Sequence, residues 1–137
     1  MTQPTHDLSP PTESAARRKL RQRVGSGLLG MGVLHVVVRK PFEKIVPKAL
    51  GAPAFWNLVA AAAEATAGGL LLTNDPKKRQ LGGKLATATI VGVYPANIEM
   101  AIRAGAPTNL AAIGAWGRLP LQIPMIRSAW ALARPEA

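Results

Sequence analysis

The stretch ATATIVGVYPANIEMAI, residues 86–102, decides the fold that this sequence predicts. It carries no charge before Glu99, although Tyr94, Pro95 and Asn97 lie close to its middle. About 18–20 apolar residues in an α-helix cross a hydrocarbon layer of roughly 30 Å. Four apolar segments, each interrupted by a few polar residues, occupy residues 23–38, 54–73, 81–102 and 110–132. We therefore predict an all-α fold, a four-helix transmembrane bundle.

The distribution of charge, more than the bulk composition, favours a membrane protein. Hydrophobic residues make up 48% of the chain and the mean hydropathy is only +0.13, values that soluble proteins also show. However, 18 of the 24 charged residues (17 basic and 7 acidic) lie outside the four apolar segments. A soluble amphipathic helix would carry charge along one whole face. The pattern predicts a multi-pass membrane protein, with the lipid bilayer as its main partner.

Several classes of function are excluded by composition. The net charge of +10 does not indicate nucleic-acid binding, because the basic residues flank apolar segments and no nucleic-acid-reading motif appears. The absence of cysteine excludes disulfides, thiol redox chemistry and thiolate metal sites. His35 has only His6 as a second histidine in the chain, so no metal site is predicted. No catalytic residue set is recognisable either.

The chain divides into a short tail and one domain. Residues 1–16 are rich in proline and hydroxyl side chains, which predicts a disordered N-terminal tail. Residues 17–134 then form the domain that contains the four helices. About twice as many Lys and Arg residues lie at the end of the bundle that holds both termini as at the opposite end, so the positive-inside rule places both termini in the cytoplasm.

The polar residues inside the apolar segments are the candidate site. Ionisable groups within a membrane normally face the bundle interior and pair with one another, so we predict an ion pair between Glu64 and Arg118. The full candidate cluster is His35, Glu64, Tyr94, Asn97, Arg118 and Gln122. Two interpretations remain open. The polar contacts serve only to fix the helix register, or they form a site that handles protons or a ligand.

A set of motifs carries a family resemblance. These are GVLH at residues 32–35, PFEKIVP at 41–47, Glu64 with Gly68, and YPANIEM at 94–100. In this order and spacing the chain resembles the DoxX family of small bacterial membrane proteins over residues 25–132. The resemblance implies four transmembrane helices in the bacterial plasma membrane and a link to membrane redox complexes. It supplies no agreed catalytic residues, and Tyr94 stands where that family usually has phenylalanine.

The sequence leads to three functional hypotheses. The first is a non-catalytic membrane subunit or organiser of a redox-linked complex, whose partners are other membrane subunits or a second copy of the chain. The second is a binding protein for a quinone or another small lipophilic molecule; no other cofactor is predicted. The third and least favoured is proton-coupled transport, because no inverted repeat is visible in the sequence. We do not expect enzymatic turnover by this chain alone.

Overall fold

The computed structural model describes residues 12–135, and the secondary structure of that part is helical, without strands. The helices are α1 (Ala15–Val37), α2 (Arg39–Glu43), α3 (Pro53–Leu72), α4 (Pro76–Ala104) and α5 (Leu110–Ala133), with a single 3-10 turn at Lys48–Leu50. The all-α prediction is confirmed. Most of the predicted disordered tail, residues 1–11, lies outside the described residues.

Three of the four long helices, α1, α4 and α5, begin where a polar side chain caps the first turn. The Ser14 Oγ accepts a hydrogen bond from the Arg17 backbone N–H, the Asp75 carboxylate from the Lys77 N–H, and the Asn109 side chain from the Ala112 N–H. Such caps satisfy N–H groups that have no partner within the helix. Because Ser14 provides one, α1 begins well before residue 23, where the apolar pattern alone placed it.

The four long helices run alternately up and down. Helix α1 packs on α3, α3 on α4, and α4 on α5, while α1 and α5 make only sparse contact. We call the end that contains residues 12–23, 71–79 and 131–135 the basic end, and the end that contains residues 35–53 and 103–110 the opposite end. At the opposite end α2 packs against α3.

Small residues fill the interior of the bundle. The only large side chains that are fully buried among the described residues are Leu71 and Leu132. The backbones of α1 and α3 instead approach each other closely. A Cβ added at Gly68 would lie 2.6 Å from the Gly25 carbonyl oxygen. A Cβ added at Gly32 would lie 2.8 Å from the Ala61 carbonyl oxygen. Helices α1 and α3 therefore meet at a distance that only glycine permits.

Large apolar side chains lie on the outside of every long helix. Examples that are more than a third exposed are Val36, Val37, Leu58, Val59, Val91, Ile98, Ile102, Ile113, Leu121 and Ile123. A soluble monomer rarely exposes contiguous apolar patches beyond a few hundred square ångströms. The arrangement has small residues inside and large apolar residues outside.

Two helices, not four, are long and apolar enough to cross a membrane within the described residues. These are α3 and α4, each with a mean hydropathy of 1.3 over its most apolar stretch. Only 28% and 17% of those stretches are buried, whereas a core helix of a soluble protein is mostly buried. Helix α1 does not meet the criterion because its apolar part is short, and α5 does not because Arg118, Gln122 and Arg127 interrupt it. The predicted four-span bundle is thus not confirmed by these properties.

Candidate functional site

His35 is held in a defined orientation by Asn57. The Asn57 Nδ2 donates to the His35 carbonyl oxygen at 2.9 Å, and the Asn57 Oδ1 lies 2.7 Å from His35 Nδ1. Because Oδ1 only accepts hydrogen bonds, Nδ1 must carry the proton. In the neutral imidazole, Nε2 is then the atom with a free lone pair. Asn57 thus aims the proton-accepting nitrogen of His35 away from itself.

That nitrogen faces Glu64 on the neighbouring helix. His35 Nε2 and Glu64 Oε2 are 3.5 Å apart, and the two side chains are 13% and 12% exposed. The distance is longer than that of a good hydrogen bond, and Oε2 is buried without a hydrogen-bond partner among the described residues. Buried polar atoms are nearly always satisfied in native proteins. The pair therefore has room to tighten around one proton or to accept a further hydrogen bond.

Local structure brings the two groups together and covers them. Gly32 lies one turn before His35 and lets α1 touch the α3 backbone near Ala61, which is one turn before Glu64. Phe42 of α2 stacks on the imidazole, with ring centroids 3.9 Å apart. The short helix α2 thus places an aromatic ring over His35 at the opposite end of the bundle.

The predicted ion pair between Glu64 and Arg118 does not form. Helix α3 packs between α1 and α4, so Glu64 meets α1, whereas α5 packs on the far side of α4. Arg118 is exposed on α5, and its guanidinium makes no ion pair with the described residues. The sequence predicted two ionisable groups inside the bundle but not the order of the helices around it.

A second polar cluster joins α4 to α5. The Asn97 Nδ2 donates to Gln122 Oε1 at 3.0 Å, and Gln122 Nε2 donates to the Ile90 carbonyl oxygen at 2.9 Å. Gln122 is buried, and Pro95 nearby cannot donate to the helix backbone. Tyr94 is half-buried and its hydroxyl makes no hydrogen bond with the described residues. The predicted cluster is thus two separate pairs of side chains, with Tyr94 and Arg118 outside both.

A third cluster, at the basic end, was missed by the sequence prediction. The Glu13 carboxylate, 5% exposed, accepts two hydrogen bonds from Arg21, at 2.7 and 3.0 Å. Arg79 NH1 lies 3.4 Å and Arg18 Nε 3.6 Å from the same carboxylate. The hydrogen bonds from Arg21, with the charges of Arg21, Arg79 and Arg18, lower the pKa of Glu13, although burial opposes them. Glu13 lies in the predicted tail, just before the helix cap Ser14, and no sequence spacing pointed to its contact with Arg21.

The arginines of this cluster also close the ends of other helices. Arg21 donates to the Leu71 carbonyl at 2.7 Å, at the end of α3, and Arg79 donates to the Thr73 carbonyl at 2.7 Å. Arg17 donates to the Ala131 carbonyl at 3.1 Å, at the end of α5. Cations are favourable at helix C-termini, where the carbonyl groups lack intrahelical partners. This cluster has a structural explanation and is not a candidate ligand site.

The chemistry of the remaining two clusters is limited to hydrogen bonding and proton binding. Within residues 12–135 no group of three or more His, Cys, Asp or Glu side chains could hold a metal ion. Asn57 was also missed as a site residue, although it lies seven residues before Glu64 and so shares its helical face. The seven-residue spacing of Asn57 and Glu64 was the sequence feature that could have identified Asn57.

The protein is a small all-α bundle in which polar side chains form pairs between neighbouring helices. A family model described as a domain of unknown function, DUF8561, matches residues 24–133. The chain belongs to that family. The resemblance to DoxX was therefore wrong: the motifs that suggested it are short, and the model that matches the whole bundle is that of DUF8561. No curated protein and no solved structure matches the chain.

Proposed function

We propose that this protein is a four-span integral membrane protein of the plasma membrane that acts as a non-catalytic subunit in a larger membrane assembly. The observation that carries the membrane location is the reversed distribution of apolar residues, with alanine and glycine inside and large apolar side chains outside on all four long helices. Membrane helices pack in this way, because small residues allow close contact and lipid takes up the large side chains. The redox link rested on the DoxX resemblance and is not carried forward.

Charge and aromatic residues support an orientation with both termini in the cytoplasm. The basic end carries most of the Lys and Arg residues, whereas at the opposite end Arg39 and Arg103 are paired with Glu43 and Glu99 at 2.7 and 3.3 Å. Exposed tryptophans lie toward both ends of the bundle, as in the aromatic belts of membrane proteins: Trp56 and Trp116 at one, Trp130 at the other.

The face of α5 that carries Arg118 supports a role as a subunit. Gly114, Gly117, Arg118 and Leu121 lie on one side of this helix, and a Cβ at either glycine would meet nothing within 4 Å. A glycine inside a helix costs about 0.5–1 kcal/mol relative to alanine unless something uses its small size. Arg118 lies roughly 12 Å along α5 from Leu110, and intramembrane arginines normally face a partner. This face suits a transmembrane helix that carries a carboxylate.

The topology can be tested with single cysteines, because the natural chain has none. We expect Lys48→Cys to react with a membrane-impermeant maleimide in intact cells, and Asn74→Cys and Pro135→Cys to react only after permeabilisation. A two-span protein with α3 and α4 alone in the membrane would instead place Pro135 on the same side as Lys48. Labelling of Lys48→Cys and Pro135→Cys together in intact cells would therefore contradict four spans.

The role as a subunit can be tested by photocrosslinking from the α5 face. A benzophenone maleimide attached to Gly114→Cys should give a discrete protein adduct in membranes, and Arg118→Gln should remove it. Ile123→Cys is the matched control, since Ile123 is exposed on the opposite face of the same helix. An adduct with a second copy would identify a homo-oligomer. Equal adducts at both positions, or none at either, would contradict the proposed interface.

A second candidate function, binding of a quinone or similar lipophile, is favoured by the unpartnered Glu64 oxygen beside His35. A quinol hydroxyl could donate to that carboxylate. The test is a thermal shift with quinone analogues on the wild type and on Glu64→Gln, with Glu99→Gln as a control. A stabilisation of the wild type and of Glu99→Gln that Glu64→Gln lacks supports the idea. No shift in any of the three removes it.

A further inference from the structure

A groove of about 360 Å³ lies between α1 and α5, where contact between these helices is sparse. Ile90 of α4 also lines it, and Met31 and Met125 contribute exposed apolar walls. The volume falls within the range of roughly 300–1,000 Å³ found for small-ligand pockets. Neither the His35–Glu64 pair nor the Asn97–Gln122 pair lines it, so this groove is separate from the clusters described above.

The polarity of the groove changes from one end to the other. Since α1 and α5 run in opposite directions, Arg23 at the start of the α1 wall and Ser128 at the end of the α5 wall lie at the same end. The wall from Arg23 to Met31 is about 12 Å long at 1.5 Å per residue and is otherwise apolar. A groove with a cation and a hydroxyl at one end and an apolar remainder matches an amphiphile with an anionic head.

The charge of Arg23 is uncompensated within the described part of the chain. Its guanidinium forms no ion pair or hydrogen bond there, and no carboxylate lines the groove. The nearby Glu13 is already bound by Arg21 and Arg79. Arginine binds phosphate oxygens through two parallel hydrogen bonds, and basic pockets between membrane helices on the cytoplasmic side are typical sites for anionic lipid headgroups.

We propose that the groove between α1 and α5 binds one acyl chain of an anionic phospholipid of the cytoplasmic leaflet, with Arg23 and Ser128 holding its phosphate. The inference rests on the proposed membrane location and orientation. A partner helix fits the space less well. A helical segment 12 Å long and about 10 Å wide occupies roughly 900 Å³, far more than the groove offers. An extended acyl chain needs only a narrow channel.

The test measures phospholipid binding to the full chain in mild detergent, by native mass spectrometry and by thermal unfolding with added lipid. Phosphatidylglycerol and phosphatidylcholine of identical acyl chains are compared. We expect phosphatidylglycerol to bind the wild type preferentially and Arg23→Gln to weaken that binding about tenfold, as expected for loss of a charge-assisted hydrogen bond. Lys19→Gln is the matched control, because Lys19 is an exposed cation of the same helix that does not line the groove.

Two glycine-to-leucine variants test whether an acyl chain occupies the groove. Gly27 lines the groove with open space beside it, so Gly27→Leu should fill the groove and abolish preferential binding. Gly30 also has open space but does not line the groove, so Gly30→Leu should bind as the wild type does. Met125→Trp serves as a second groove-filling variant if Gly27→Leu does not fold, as judged by circular dichroism.

Several outcomes would overturn the inference. They are equal weakening by Arg23→Gln and Lys19→Gln, equal binding of both lipids by the wild type, or full binding by the groove-filling variants. A dimer in the wild type that Gly27→Leu dissociates would assign the groove to a second copy and also overturn it. If the chain is soluble without detergent, the proposed membrane location fails first. A membrane-embedded chain without lipid preference refutes the groove assignment alone.

Discussion

The Nε2 atom of His35 and the Oε2 atom of Glu64 lie 3.5 Å apart across the interface between α1 and α3. Asn57 fixes the imidazole from its other side through two hydrogen bonds, so the separation is set by the packing of the two helices and not by rotation of His35. An acid and a base thus face each other between two neighbouring helices.

Asn57 should matter more for stability than Glu64. Asn57→Ala removes two hydrogen bonds and leaves the His35 Nδ1–H unsatisfied, so we expect a loss of about 2–3 kcal/mol in the free energy of unfolding. Glu64→Gln replaces the carboxylate with an amide whose N–H can donate to Nε2, so it should cost under about 1 kcal/mol. Thermal unfolding in detergent measures both, with the exposed Asn74→Ala as a control. A larger loss for Glu64→Gln than for Asn57→Ala would contradict the assigned roles.

Adjacent glycines in α3 should respond in opposite ways to alanine. Gly68→Ala places a Cβ 2.6 Å from the Gly25 carbonyl oxygen and from the Leu29 backbone nitrogen, so the helices must separate, at a cost of about 1–3 kcal/mol. Gly69→Ala meets nothing within 4 Å and should be neutral or slightly stabilising. Denaturation of the two variants in the same detergent provides the comparison. Similar losses for both would show that α1 and α3 do not pack as described.

The stability of the basic end should fall in acid. The folded pKa of Glu13 lies below its ordinary value of 4.5, so the unfolded chain binds this proton more readily than the folded chain does. Its stabilising contribution is therefore complete above the ordinary value and is lost as the pH falls through the folded pKa. We expect Glu13→Gln to lower stability by about 1.5–3 kcal/mol near neutrality and much less in strong acid. A melting-temperature difference between wild type and variant that does not shrink below about pH 4 would contradict the ion cluster.

Arg118 should be dispensable for folding. It is exposed and has no ion-pair partner among residues 12–135, so Arg118→Gln should change the free energy of unfolding by less than about 0.5 kcal/mol. Arg21→Gln should instead cost about 3 kcal/mol, because it leaves Glu13 and the Leu71 carbonyl without their main donor. Both values come from unfolding of the purified chain. A severe defect in Arg118→Gln would contradict the exposed, unpaired position of Arg118.

The sequence predicted the helices better than their arrangement. Apolar segment lengths identified α3 and α5 nearly to the residue, because a helix of mostly apolar residues has few alternatives. Asn97 and Gln122 were both predicted and do bond to each other. The partner of Glu64 was wrong because one sequence does not reveal which helix lies beside which, and α5 lies across the bundle from α3.

Two predictions drawn from short stretches of sequence, the end of the tail and the family resemblance, differ from what was found. The first two residues of α1 were assigned to a tail, because the residues before them have the proline and hydroxyl content of disorder. The capping of α1 by Ser14 depends on a single side chain. The DoxX resemblance failed for a related reason. Its short glycine, proline and asparagine motifs are what any small membrane-like bundle uses for close packing and bends, so they identify a structural need and not a family.

Under the proposed membrane orientation, the arginines at the basic end would also direct how the chain enters the membrane. Arg17, Arg21 and Arg79 belong to the cationic sequences that would retain this end during insertion, and they also bind the last carbonyl groups of α3 and α5. A variant in which the charges flanking the helices are exchanged, so that it inserts in the opposite orientation, would also lose these hydrogen bonds to the helix ends. In that proposal, the direction of entry and the final fold depend on the same side chains, so a change to either one constrains the other.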